Sequence, residues 1–208
     1  LLAVEDPTFA WRAPLGVLAL VLLALRDHAR TGTWARAREL AFLFGVTAVT
    51  MAYALAHDAV TWRVSAEYFV IGKGLPGAAV SFAPVARLAA LAGWSVGLAV
   101  GLALLVANNP SPMRTRIGER VLAGEALRVL VVSAATAAFG ALVGFCATPH
   151  VAAFFRSAGI AETRAFSVAS GIHLGTYVGA ALGTVRAVVR VRRARLTRAP
   201  ATAEPLGR

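Results

Sequence analysis

His57, Asp58, Thr61, Ser65, Glu67 and Tyr68 crowd into one short stretch, HDAVTWRVSAEYF (57–69), directly after a long apolar run. His173 and Tyr177 form an i, i+4 pair inside another apolar run far downstream. An ionisable group set among lipid-grade apolar residues is costly without a partner, so such residues mark a functional site by default. Imidazole nitrogens with carboxylate oxygens are an acceptable ligand set for a divalent metal, and His57, Asp58, Glu67 and His173 are the candidates. Their spacing matches no metal motif, and hydrogen-bonded contact between helices is the competing use of the same groups. The chain holds no glycine-rich phosphate loop, HExxH pair, CxxC pair or GxSxG elbow, so no catalytic residue and no cofactor is assigned. Cys146 is the lone cysteine; it forms no intrachain disulfide and builds no thiolate metal site by itself.

The elements that must position these groups are set by composition. Of 208 residues, 58% are hydrophobic and 15% charged, and the mean hydropathy is +0.69. Those values lie outside the range of soluble domains. Four runs approach or reach the roughly 20 apolar residues that cross a hydrocarbon core about 30 Å thick: Leu40 to Ala56, Leu88 to Ala107, Leu127 to Thr148 and Phe166 to Val189. Only helices or closed barrels satisfy their backbone groups in lipid, and runs of this length predict helices over about 36–57, 86–107, 127–148 and 166–189. A further helix is expected over about 9–25, with Trp11 and Arg12 as interface anchors. Glu5 and Asp6 before it, and Arg26, Asp27 and His28 after it, argue against a secretory signal. The expected fold is therefore an all-α membrane protein, a bundle of four to five transmembrane helices with a short extracytoplasmic cap segment. Its parts are an N-terminal segment (1–38), a four-helix bundle (39–190) and a basic tail (191–208).

Charge sets the expected direction. Basic residues outnumber acidic ones by 21 to 10, but they lie between apolar runs rather than on one amphipathic face, which excludes a nucleic-acid surface. Arg26, Arg30, Arg36 and Arg38 precede the first long run, Arg114, Arg116 and Arg120 lie between the second and third with Arg128 at the start of the third, and Arg186 to Arg208 form the basic end that begins in the last turn of the final run. Basic loops are retained inside, so the C-terminus is expected in the cytoplasm and residues 57–86 on the extracytoplasmic side of a bacterial inner membrane. The Arg-rich, Ala/Gly/Val-rich composition suits a high-GC bacterial genome.

Locally, Thr50, Tyr53 and His57 share one helix face. From Val60 to Val64 apolar residues alternate with Thr61 and Arg63, which predicts a short surface strand. Ser65 ahead of Ala66 and Glu67 is a helix-start signal, and the Gly-Pro-rich stretch 72–77 is a loop. His150, after Pro149, is expected to mark the end of the third long run. Gly171, Gly175, Gly179 and Gly183 recur at every fourth residue, as do Gly93, Gly97 and Gly101; Ser133, Ala137, Gly140 and Gly144 form a similar stripe. Small residues at this spacing let helices approach closely in lipid, and the three striped helices are expected to touch.

HDAVTWRVSAEYF, followed by GWSVGLAVGLAL and then HLGTYVGAALG before a basic end, resembles a family of uncharacterised bacterial multi-span integral membrane proteins with an HDQIT-type segment and SPEYF. The resemblance runs from about Leu40 to Arg193 and rests on His57, Asp58, Thr61, Ser65, Glu67, Tyr68, Phe69, His173 and Tyr177. Ala59, Val60 and Ala66 depart from the pattern. The resemblance implies the architecture and the suspect residues, and it implies no established activity. The leading expectation is a non-enzymatic structural or complex-subunit protein, with the bilayer and a membrane protein or a second copy as partners. The alternatives are a membrane-embedded metal-binding protein or enzyme with its site at the extracytoplasmic face, and a small-solute or ion transporter.

Overall fold

The computed structural model describes residues 9–109 and 116–197, with side chains from Leu15 onward. The anchors expected of Trp11 and Arg12, Arg114 in the inner loop, and the tail from Arg198 lie outside the described side chains. Five helices follow one another: α1 (Phe9–Thr31), α2 (Ala35–Val64), α3 (Ala83–Ala107), α4 (Glu119–Ser157) and α5 (Thr163–Leu196). A single π turn (Tyr68–Gly72) and a 3-10 turn (Pro76–Ala79) connect α2 to α3. Among the described residues there is no strand. Helices α2 to α5 are each long and apolar enough to cross a membrane, which makes the chain a multi-pass membrane protein of the all-α class. The helix expected over about 9–25 is α1, which packs against α2 and leaves Leu18, Leu22 and Leu23 exposed.

Two expectations fail for stated physical reasons. Residues 60–64 are not a strand; they complete α2, which ends only at Val64. A lone strand would leave its backbone groups without partners, whereas here Thr61 donates its hydroxyl to the His57 carbonyl at 2.8 Å, one helical turn back. The apparent alternation is one turn of a helix, with Val60 and Val64 on its outer side and Thr61 buried. Nor does His150 end its helix. Pro149 sits inside α4, which runs on to Ser157, because proline costs one backbone bond while Phe155 beyond it gains an edge-on contact with Phe166 at 5.0 Å. Gly159, at φ +80°, then turns the chain, and Ile160 N–H bonds the Phe155 carbonyl at 3.0 Å to close a Schellman-type end.

The bundle is two close pairs. Helix α2 packs chiefly on α3, and α4 on α5. A methyl added at Gly140 would strike the Gly171 carbonyl, one at Gly144 the Ser167 carbonyl, and one at Gly175 the Thr136 carbonyl. Ser133 Oγ donates to the Thr176 carbonyl at 2.9 Å and Ser167 Oγ to the Gly144 carbonyl at 2.7 Å, polar links that only this backbone closeness permits. The three striped helices touch as expected, but the α3 stripe itself is turned to α2. Gly93, Gly97 and Gly101 face Met51, Thr47 and Leu43 of α2, so the glycine faces of α3 and of the α4/α5 pair do not meet.

Two apolar cores flank the middle of the bundle. One holds Phe42, Leu104, Leu122, Val129 and Val191; the other holds Phe69, Ala78, Val85, Ile160 and Phe166. The second closes what we call the histidine end. The opposite, arginine end is tied by Asn108, whose side chain makes two 2.9 Å bonds with the Ile117 backbone, and by Glu39, which pairs with Arg116 at 2.6 Å. Buried Glu125 pairs there with Arg128 and, at 3.6 Å, with Arg190.

Candidate metal centre

Because α2 continues past residue 57, His57 and Asp58 lie inside a packed helix rather than on a surface. Thr47, Thr50, Asp58 and Thr61 are its buried polar residues, and their spacing turns them toward α3 and α5. On α5, the glycines face α4, which directs His173 to the other side of the helix, where it is 3% exposed. The two faces meet at the histidine end.

There His57 Nδ1 lies 2.8 Å from Asp58 Oδ1, and His57 Nε2 lies 2.8 Å from Thr176 Oγ1. His173 Nε2 stands 3.8 Å from the same Asp58 oxygen. The two imidazoles meet edge-on, with ring centres 4.9 Å apart. One ligand atom from each of His57, Asp58 and His173 falls within 4.8 Å of the others. Ligand atoms around a tetrahedral zinc ion, each bonded at about 2.1 Å, are roughly 3.4 Å apart, a separation bracketed by the 2.8 Å and 3.8 Å distances of the two imidazoles from Asp58 Oδ1. His173 Nε2 is buried with no hydrogen-bond partner, a state that ordinarily demands an explanation.

The remaining suspect residues frame this cluster without joining it. Tyr68 stacks on His173 at 4.7 Å, and Phe69 meets the same ring edge-on at 5.6 Å. Ser65 Oγ accepts from Tyr68 N–H at 3.2 Å, the cap expected of it. Thr61 stays in its own helix. Glu67, a metal candidate by residue type, is engaged elsewhere: its two oxygens accept from Ala161 N–H at 2.8 Å and Glu162 N–H at 3.0 Å, fastening the turn ahead of α5. Tyr177 is half exposed, and its hydroxyl lies 3.0 Å from Lys73 Nζ.

Lys73 and Thr176 were not singled out by the sequence reading. Thr176 shares a helix face with His173 and Ala180, a signal available in hindsight from the spacing alone. Lys73 is the one lysine among 21 basic residues. Its ammonium lies 5.5 Å from the Tyr68 ring centre and 5.4 Å from that of Tyr177. Burial opposes its charge, but the Tyr177 hydrogen bond and the two phenols outweigh that, and its pKa lies above the ordinary lysine value. Burial likewise raises Tyr68, against the pull of Lys73.

His57, Asp58, Lys73 and His173 all line one cavity of about 260 Å³ between the helix pairs. Tyr53 also lines it, and its buried hydroxyl has no hydrogen-bond partner. Fold and site together define a multi-pass helical membrane protein with a largely buried His-Asp-His cluster beside an internal cavity. No family model, curated protein or solved structure matches the chain.

Proposed function

We propose that this chain is a membrane-embedded metal-binding protein, with His57, Asp58 and His173 holding a divalent transition metal such as zinc at the histidine end. The observation that carries this reading is the convergence of the three groups from α2 and α5, with His173 Nε2 buried and unpartnered. Two imidazoles and a carboxylate suit zinc, iron or manganese better than calcium or magnesium. With Nδ1 on the metal, His57 Nε2–H donates to Thr176 Oγ1, the outer support that metal-bound imidazoles ordinarily have. Three protein ligands would leave a coordination position free, the pattern of reactive rather than purely structural sites.

The arginine distribution favours an extracytoplasmic histidine end, with Arg36, Arg116, Arg120, Arg190 and the basic tail on the cytoplasmic side of a bacterial inner membrane. A structural role for the same cluster is the second reading, favoured by the 2.8 Å contact of His57 Nε2 with Thr176 Oγ1, which ties α2 to α5 without any ion, while Asp58 holds the other ring nitrogen from within α2.

Metal analysis of the purified full-length protein separates them. About one equivalent of transition metal, lost in both His57→Ala and His173→Ala while the proteins stay monodisperse, supports the metal centre. A folded wild-type protein free of metal after growth in metal-replete medium, and taking up none when zinc, iron or manganese is added, overturns it.

A further inference from the structure

The cavity beside the cluster is lined mostly by apolar side chains, with the Thr50, Tyr53 and Ser133 hydroxyls among them. The apolar lining includes Leu88, Val96, Val100, Val129, Leu130 and Ala180. From Leu88 to Val100 it follows α3 for about 18 Å at the helical rise, more than half of the hydrocarbon thickness. All its charged and imidazole groups sit at one end, where Lys73 joins His57, Asp58 and His173. A charged end and a long, mostly apolar barrel match the shape of an amphiphile.

A second observation says where the rest of such a molecule would go. Helices α2 and α4 belong to different pairs, and an open groove of about 600 Å³ runs between them, from Val49 and Leu127 to Arg38 and Glu119. Thr50, Ala126 and Leu130 line both this groove and the internal cavity. These three residues of modest size are therefore the common wall between the cavity and the lipid-facing groove at mid-bundle. Movement of these side chains would give an acyl chain in the cavity a sideways route to lipid that avoids the histidine end.

We propose that the site takes a single-chain membrane amphiphile with an anionic oxygen headgroup, phosphate or carboxylate. Its head meets Lys73 and the His-Asp-His centre, and its chain leaves between α2 and α4 past Thr50, Ala126 and Leu130. The headgroup contact rests in part on the metal reading above. Among the described residues Lys73 is the only lysine or arginine lining the cavity, and its ammonium is held toward that end by Tyr177. An anion reaching it gains a charge-assisted hydrogen bond in a low-dielectric setting.

The test uses full-length protein in phosphatidylcholine nanodiscs with three photoactivatable probes that share one twelve-carbon chain: an alkyl phosphate, a fatty acid and a neutral alcohol. Adduct positions are read by mass spectrometry, and metal content is measured on the same samples. Labelling of cavity-wall residues such as Val96 and Val129 by an acidic probe is expected, with the alcohol roughly tenfold weaker. Whether phosphate or carboxylate labels more strongly identifies the head. Lys73→Gln is expected to erase that preference, and Ala126→Trp, or Leu130→Trp if the first variant misfolds, to abolish wall labelling while metal content is retained. Equal labelling by all three probes, labelling confined to the outer helix surfaces, or wall labelling that survives both portal variants overturns the proposal. Wall labelling that requires Lys73 in a protein without metal supports the amphiphile site and sinks the metal centre alone.

Discussion

The rings of His57 and His173 meet edge-on at 4.9 Å, although one belongs to α2 and the other to α5. Each helix is fastened mainly to a different neighbour, α2 to α3 and α4 to α5. The histidines are thus one of the few polar links between the two pairs, and they meet at one end of the space left between them. A link of this kind is useful for holding a ligand, because the surrounding packing fixes its position while the cavity leaves one side open.

Thr176→Val removes the hydroxyl that supports His57 Nε2 while keeping the side-chain shape. If the hydroxyl orients a metal ligand, metal affinity falls by roughly 10- to 100-fold. A lost hydrogen bond alone lowers stability by only about 1 kcal/mol. Competition with a chelator and thermal denaturation, run on the same variant, give the two numbers separately. Unchanged metal affinity removes Thr176 from the site.

Glu67→Ala strips two backbone N–H groups of their acceptor ahead of α5. A loss of about 2 kcal/mol in stability is expected, with Glu67→Gln intermediate because one amide oxygen remains. Metal content stays at the wild-type level in both. A Glu67 variant that loses metal but not stability would return this carboxylate to the ligand set.

Gly140→Ala and Gly124→Ala place the same methyl on one helix in opposite circumstances. At Gly140 it meets the Gly171 carbonyl, and at Gly124 nothing lies within 4 Å. The first is expected to cost about 1–3 kcal/mol by overpacking, measured by unfolding in mixed micelles. The second is expected to stabilise by up to about 1 kcal/mol through helix propensity. Equal effects would mean that α4 and α5 do not approach through this stripe.

Alkaline pH is expected to loosen the histidine end. Lys73 is raised above its ordinary 10.5, burial being outweighed by Tyr177 and the phenols, so its contribution is present below that value and is lost as pH climbs through the folded value. Burial raises Tyr68 above 10.0, so the folded state keeps a proton that the unfolded chain gives up, and stability again falls upward of there. The melting temperature should hold steady below about pH 9 and decline above about pH 10. Lys73→Met should flatten that decline, and an identical slope in the variant would show that the contact contributes nothing.

Much of the framework could be read without coordinates. The four long apolar runs became α2 to α5, and Ser65 caps the turn after α2 as its residue type suggested. Errors fell where local pattern is ambiguous. Five residues of alternation at 60–64 fit a strand as well as one turn of a helix, and only the need to satisfy backbone groups decides for the helix. Pro149 read as a stop, yet the aromatic packing of Phe155 on Phe166 carries α4 past it. Glu67 has the right type for a ligand, but its neighbours Ala161 and Glu162 use both of its oxygens.

The amino-acid sequence by itself determined the solvent, the helical class and the residues that could not be indifferent to lipid, because hydropathy, run length and the cost of a bare imidazole are local properties. Which of those residues meet was decided only by tertiary structure. The glycine faces press α4 against α5 and α3 against α2, and that pairing turns His57 and Asp58 toward His173, withdraws Glu67, and leaves the apolar cavity between the pairs. Such distances depend on how backbones of distant segments fit together, and that information belongs to the packed bundle rather than to any stretch of the chain.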